Sequence, residues 1–280
     1  MARVSDTELE IAAGATMLAA GESGEGRPVV LLHGLTATRH YVVMGSRTLE
    51  RGGHRVISYD ARGHGRSAAP PDGRYDYPSL VEDLRAVMDA MGLARATLVG
   101  ASMGAHTAAA FALAHPERAA GLCLITPAFD PSAARREEEL AAWDRLAAGL
   151  RSGGVEEFLA AYQLDRLPAS IRPTIETVVR QRLAAHLHPQ AVADALEAVP
   201  RSDPFATLEQ LAELTMPVTV IASRDELDPG HPLAVGEAWA RAIPGARLVV
   251  EPAREPPVSP IAWQGGQLSR LIAELADQST

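Results

Sequence analysis

The sequence predicts an α/β fold built on a mostly parallel sheet with helices on both faces. Three observations carry this. Short runs that are almost wholly apolar recur along the chain: RPVVLL at 27–32, RVISYD at 55–60, GLCLIT at 121–126, MPVTVIA at 216–222. Strands buried on both faces read in this way, because neither face meets water. Between these runs stand segments with helical periodicity, and that alternation is the pattern of parallel strands joined by helical crossovers. From 128 to about 204 the buried-strand runs stop and amphipathic helical stretches replace them. The expected organisation is therefore a core of 1–127 and 205–280, with 128–204 as an inserted helical cap.

In order, 7–22 offers two weaker strands, LEIAAG and ATMLAAG, separated by a turn. The strand at 27–32 ends in His33-Gly34-Leu35-Thr36, and a helix is expected over 41–51. The Gly52-Gly53 pair leads to the strand at 55–60, which runs into the Gly-rich turn ARGHGRS at 61–67. Leu80, Leu84, Val87, Met88 and Met91 keep helical spacing across 77–91. A strand at 97–100, a sharp turn at 100–104 and an Ala-rich helix ending near Pro116 follow. In the insertion, Gly149, Gly153-Gly154, Pro168, Pro173 and Pro189 divide the helices. A helix over 205–214, the strand at 216–222, a helix over 233–242, the strand ARLVVE and a last helix over 265–276 complete the chain. Right-handed crossovers bring the strand C-terminal ends to one rim, where ligands bind in such sheets. His33-Gly34, Asp60, Ser102, Thr126 and Asp225 all follow strand ends and should share that rim.

The chain has 280 residues, enough for one large core, and is 47% apolar. No apolar run is long enough for a bilayer, and MARVSDTELE lacks a signal-peptide pattern, so the cytoplasm is the expected compartment. A net charge of −9 argues against nucleic acid and anionic membranes as partners. All 26 basic residues are arginine, which excludes lysine Schiff-base chemistry. The single cysteine, Cys123, lies in a strand run and reads as core. No histidine–carboxylate cluster has metal-ligand spacing, and no Gly-rich phosphate motif appears. Neither cofactor nor metal is expected, and a homodimer is left open.

Gly100-Ala101-Ser102-Met103-Gly104 matches G-x-S-x-G between a strand and a helix. Glycines two residues either side of the serine let strand and helix approach closely, and the serine sits in a strained turn with its hydroxyl exposed. The Met103 N–H, at the helix N-terminus, points to where an oxyanion would form.

VVLLHGL, YDARGHGRS, VGASMG and PVTVIASRDELDP, in this order and spacing, resemble the α/β-hydrolase superfamily, in the branch with a helical cap between the sixth and seventh strands. The resemblance covers nearly the whole chain. It implies an eight-stranded, mostly parallel sheet. Ser102 becomes the nucleophile, and the Leu35 and Met103 N–H groups the oxyanion hole. Asp225 takes the acid position, with Asp228 as rival and Asp130 as a weaker alternative. His33 supports its loop and, with Thr36, lines the substrate side; His64 belongs to a fold-defining turn.

One part of the pattern departs. The family carries its catalytic histidine after the eighth strand, and here Pro252-Ala253-Arg254-Glu255-Pro256-Pro257 stands there. None of the nine histidines follows that strand. A serine needs a proton acceptor, so the base is unassigned. The candidates are His40, beside the oxyanion loop, and His231 in DPGHP. His186 and His188 in the cap, and the carboxylate of Glu255, are further options; His106, four residues past Ser102, faces the core. Trp263 should pack the start of the last helix. The expected activity is cofactor-free hydrolysis of a small ester, lactone or similar carbonyl compound. The alternative is non-hydrolytic chemistry or ligand binding on the same fold.

Overall fold

The apolar runs of the sequence form one eight-stranded sheet in a computed structural model that describes residues 7–131, 137–162, 164–253 and 260–279. The strands are β1 (Thr7–Ala13), β2 (Thr16–Ser23), β3 (Arg27–Leu32), β4 (His54–Tyr59), β5 (Ala96–Ala101), β6 (Ala119–Ile125), β7 (Val218–Ala222) and β8 (Arg247–Val250). Their spatial order is β1-β2-β4-β3-β5-β6-β7-β8. β1 and β2 form a hairpin over Gly14-Ala15, with Gly14 at φ 59°, the positive φ that tight hairpin turns favour. β2 pairs antiparallel with β4, and every later pair is parallel. The order reverses beside β3, so the loops after β3 and β5 meet where ligands enter sheets of this kind.

Helices α1 (Thr48–Arg51), α2 (Tyr77–Ala90), α3 (Met103–Ala114), α7 (Leu233–Ala242) and α8 (Gly265–Gln278) flank the sheet. One face packs Leu84, Val87 and Met88 of α2, Phe111 of α3 and Trp239 of α7 against Val30, Leu98, Leu122 and Val220. The other packs Leu49 of α1 and Leu268, Ile272 and Leu275 of α8 against Val29, Val99, Cys123 and Ile221. Burying α3 on both sides explains why it lacks a polar face. Asp76 starts α2 by accepting the Ser79 N–H at 2.9 Å.

Between β6 and β7 lie α4 (Glu137–Ala161, broken at Gly154, φ 66°), α5 (Arg172–Ala184) and α6 (Pro189–Ala198), with no strand among the described residues. Their apolar faces, with Leu150, Phe158, Val179 and Leu196, join a cluster that includes Leu35, Met103 and Leu227 at the strand ends. These helices thus pack onto the sheet's C-terminal rim.

Two expected helices differ. Over 41–51 only α1 is α-helical; a short 3-10 turn, Arg39–Tyr41, precedes it. Met44 and Gly45 take φ 48° and 72°, which breaks a right-handed helix there. The Val43 carbonyl then lies against Gly265, where a Cβ would come within 2.1 Å of it. Over 205–214 the chain forms a 3-10 helix, Leu208–Glu213, set by a capping box of Thr207 and Gln210.

Candidate active site

β5 delivers Ser102 to the rim at φ 51°, ψ −114°, a conformation a non-glycine residue holds only when its surroundings impose it. The surroundings are tight. A Cβ on Gly100 would come within 2.1 Å of the Gly104 carbonyl, and one on Gly104 within 2.3 Å of the Leu32 carbonyl. Strand and helix can cross this closely only with glycine at both positions. The Ser102 N–H donates to the Ile125 carbonyl at 2.9 Å, and the Ser102 carbonyl accepts from Ala105 and His106. The side chain is left half-exposed at the rim.

The loop after β7 carries the histidine that meets Ser102. In Asp228-Pro229-Gly230-His231 the His231 N–H donates to the Asp228 carbonyl at 3.1 Å, closing a turn with proline at its second position. The turn brings both side chains to one side. His231 Nδ1 donates to the Asp228 carboxylate, 2.9 Å from each oxygen. His231 Nε2 lies 2.9 Å from Ser102 Oγ and accepts the hydroxyl proton. The carboxylate fixes the tautomer that leaves Nε2 free to accept. Burial lowers the His231 pKa, but the Asp228 charge and hydrogen bond more than offset it, so the net shift is upward. Arg182 acts in the opposite sense.

The carboxylate in contact with this histidine is Asp228, the rival, rather than the expected Asp225 or Asp130. Asp225 instead accepts the Leu233 N–H at 2.7 Å at the start of α7. It sits six residues before the histidine and faces the helix start, whereas Asp228 is its i, i+3 partner across a tight turn. His40 is exposed and His188 starts α6 in solvent. His186 spans from the inserted helices to the core: its Nδ1 accepts the Gly65 N–H at 2.8 Å and its Nε2 donates to the Thr36 carbonyl at 3.2 Å. Arg254 and Glu255 lie outside the described residues.

The remaining rim residues hold the frame. His33 Nδ1 donates to the Gly34 carbonyl at 2.8 Å and its Nε2 accepts the Ala61 N–H at 2.9 Å. Burial, with His64 nearby, lowers its pKa to about 3, so this ring stays neutral. Gly34 lies against the nucleophile turn, where a Cβ would sit 3.4 Å from Ser102 Cβ. Among the described residues neither the Leu35 nor the Met103 N–H meets a protein acceptor. Thr36 is half-buried and offers its carbonyl to His186. Asp60, on the same rim, is buried and accepts from the Arg39 N–H, the Arg39 guanidinium and the Arg66 N–H. His64 meets the Arg62 and Leu35 carbonyls, each at 3.0 Å. His106 faces inward, with Tyr77 Oη 2.7 Å away and Ala128 N–H donating to it.

Two features had no foresight in the sequence. Glu251, buried at the end of β8, accepts the Arg224 and Ile261 N–H groups, each at 2.6 Å. It ties the start of the loop after β7 to the segment before α8. Arg182, in the last turn of α5, lies over two rings, its guanidinium carbon 5.2 Å from the Tyr41 centroid and 5.1 Å from that of Trp263. Trp263 packs on the apolar cluster above the rim, just before α8.

Comparison with known proteins agrees with this architecture. Residues 27–255 match the family described as the α/β hydrolase fold. A thermophilic esterase from Thermogutta terrifontis, solved with malate bound, superposes with TM-score 0.79 at 29% identity, over 98% of this chain and all of the other. A hydrolase from Pseudomonas aeruginosa PA01 gives TM-score 0.71 at 30% identity, over 89% of this chain and 91% of the other. The Pseudomonas putida 2-hydroxy-6-oxononadienedioate/2-hydroxy-6-oxononatrienedioate hydrolase 2 is 28% identical over 89% of this chain and 86% of its own. The chain belongs to the α/β hydrolase fold family.

Proposed function

We propose that this chain is a serine hydrolase that cleaves a small ester or lactone through Ser102, with His231 as base and Asp228 as its orienting acid. The observation that carries this reading is the 2.9 Å contact between His231 Nε2 and Ser102 Oγ. Ser102 Oγ attacks the substrate carbonyl and its proton passes to His231 Nε2. Asp228 stabilises the imidazolium that forms. The carbonyl oxygen, now negative, is held by the Leu35 and Met103 N–H groups. His231 then returns the proton to the leaving alkoxide, and water repeats the cycle on the acyl-enzyme. The helices between β6 and β7 act as a cap that bounds the substrate cavity, with Thr36 and the His33 loop below it. The named esterase and hydrolases support the reaction class, and the contact to His231 supplies the proton acceptor that the loop after β8 lacks.

The test is hydrolysis of 4-nitrophenyl butanoate together with labelling by a fluorophosphonate. Both are expected in the wild type and absent in Ser102→Ala. Labelling that survives Ser102→Ala would place the nucleophile elsewhere.

A further inference from the structure

We propose that Arg182 binds a carboxylate on the substrate, so that this site acts on acids bearing an ester or lactone rather than on neutral esters. The proposal rests on the hydrolase reading above and narrows its substrate class.

Among the described residues Arg182 forms no ion pair and no side-chain hydrogen bond, whereas other buried or half-buried arginines have a carboxylate. Arg39 pairs with Asp60, Arg62 with Asp83, Arg47 with Glu50. The Arg182 guanidinium instead lies over two aromatic rings, those of Tyr41 and Trp263. Its Nε is buried with no acceptor. A guanidinium removed from water without a counter-ion is costly, and chains keep one only where something else completes it. Stacking on the rings offsets part of that cost and fixes the plane of the fork. The fork's N–H groups meet no protein acceptor among the described residues, and a carboxylate takes such a fork in a two-pronged grip.

The place is suited to a ligand. Arg182 is close enough to the His231–Asp228 pair for its charge to bear on the histidine. Tyr162, whose phenol is also near Asp228 and Arg182, keeps about a third of its surface open (36% exposed). Tyr41 follows the loop that carries the Leu35 N–H, and Trp263 precedes α8. The guanidinium therefore reaches from α5 toward the His231–Asp228 pair while packed on the Tyr41 and Trp263 rings. One fixed positive charge without a second basic partner matches a monoanionic carboxylate better than a phosphate dianion. Asp228 does not satisfy it: among the described residues the two form no ion pair and no hydrogen bond, and the Asp228 carboxylate faces His231.

The experiment measures binding without turnover. Ser102→Ala and Ser102→Ala/Arg182→Met are titrated by calorimetry with the monomethyl esters of succinate, glutarate and adipate, and with the matching dimethyl esters. At least one monoester should bind Ser102→Ala about 10- to 100-fold more tightly than its diester, the worth of a hydrogen bond to a charged group. That preference should vanish in the double variant, whose fold is checked by thermal melting. Monoesters that bind no better than diesters in Ser102→Ala, undetectable binding included, overturn the proposal whether or not the double variant folds. A preference that survives Arg182→Met overturns it as well. Because no cleavage is read, failure here is distinct from failure of the hydrolase reading, which shows as absent Ser102-dependent hydrolysis of 4-nitrophenyl butanoate.

Discussion

A serine hydroxyl holds its proton at neutral pH, so its reactivity depends on the acceptor it faces. Ser102 faces His231, whose own proton is held by Asp228. Only the neutral imidazole can accept, so kcat/KM falls as pH drops through the His231 pKa. That pKa lies above the ordinary histidine value because of Asp228. Asp228→Asn should move the acid limb of the profile to lower pH and cut kcat by about 10⁴, the cost of the wrong tautomer in a serine–histidine–aspartate site. Arg182→Met removes a charge that lowers the His231 pKa, so its acid limb should move to higher pH. Asp225→Ala should leave the limb in place and cost about 1 kcal/mol of stability, the worth of a helix-start acceptor. The pH dependence of kcat/KM and a urea titration separate these outcomes. The sequence made Ser102, Asp228 and His231 visible as residues but not their pairing. The expected order of acid after one strand and base after the next set them apart. The turn signal in Asp228-Pro229-Gly230-His231 was present, and a hydrogen-bonded turn places its first and fourth side chains within reach of each other.

At the scale of the element, the β5–α3 junction sets where the nucleophile stands. Gly100 and Gly104 touch backbone that cannot move aside without separating helix from strand. Gly100→Ala or Gly104→Ala should therefore cost about 1–3 kcal/mol or more by overpacking. Fluorophosphonate labelling should slow in the fraction that remains folded. Urea midpoints and labelling rates measure the two effects. The junction was legible because its constraint is local: small residues, a strand pattern before and a helix after. The helix expected over 41–51 failed for the opposite reason. Its apolar spacing is helical, yet Val43 and Met44 are held by contact with the start of α8, more than two hundred residues away in sequence. A pattern read in one window cannot register such a contact.

Across the whole molecule, the strands were legible because parallel strands buried on both faces have little freedom of composition. The parallel pairing from β3 onward follows from that alternation with helices, whereas the strand order does not. The links between the inserted helices and the rim were not legible, since they depend on single polar groups such as His186. Those buried histidines give the fold a pH signature. Burial lowers the pKa of His33 and His106 to about 3 and that of His186 to about 4; a neighbouring histidine adds to the shift in each case. The unfolded chain takes up these protons near the ordinary value of 6.5 and the folded chain does not, so stability falls as pH drops below it. Three such groups give a slope of up to about 4 kcal/mol per pH unit. His231, with its raised pKa, opposes this weakly at the upper end. Urea midpoints should fall steeply between pH 6.5 and 4, and His106→Phe should flatten the fall.

The pairing of Ser102 with a base from the loop after β7 is tested most directly by the rate of fluorophosphonate labelling at fixed pH in the wild type, His231→Gln and His40→Gln. The account predicts that labelling of Ser102 collapses in His231→Gln and proceeds at the wild-type rate in His40→Gln. Undiminished labelling of a folded His231→Gln would contradict it.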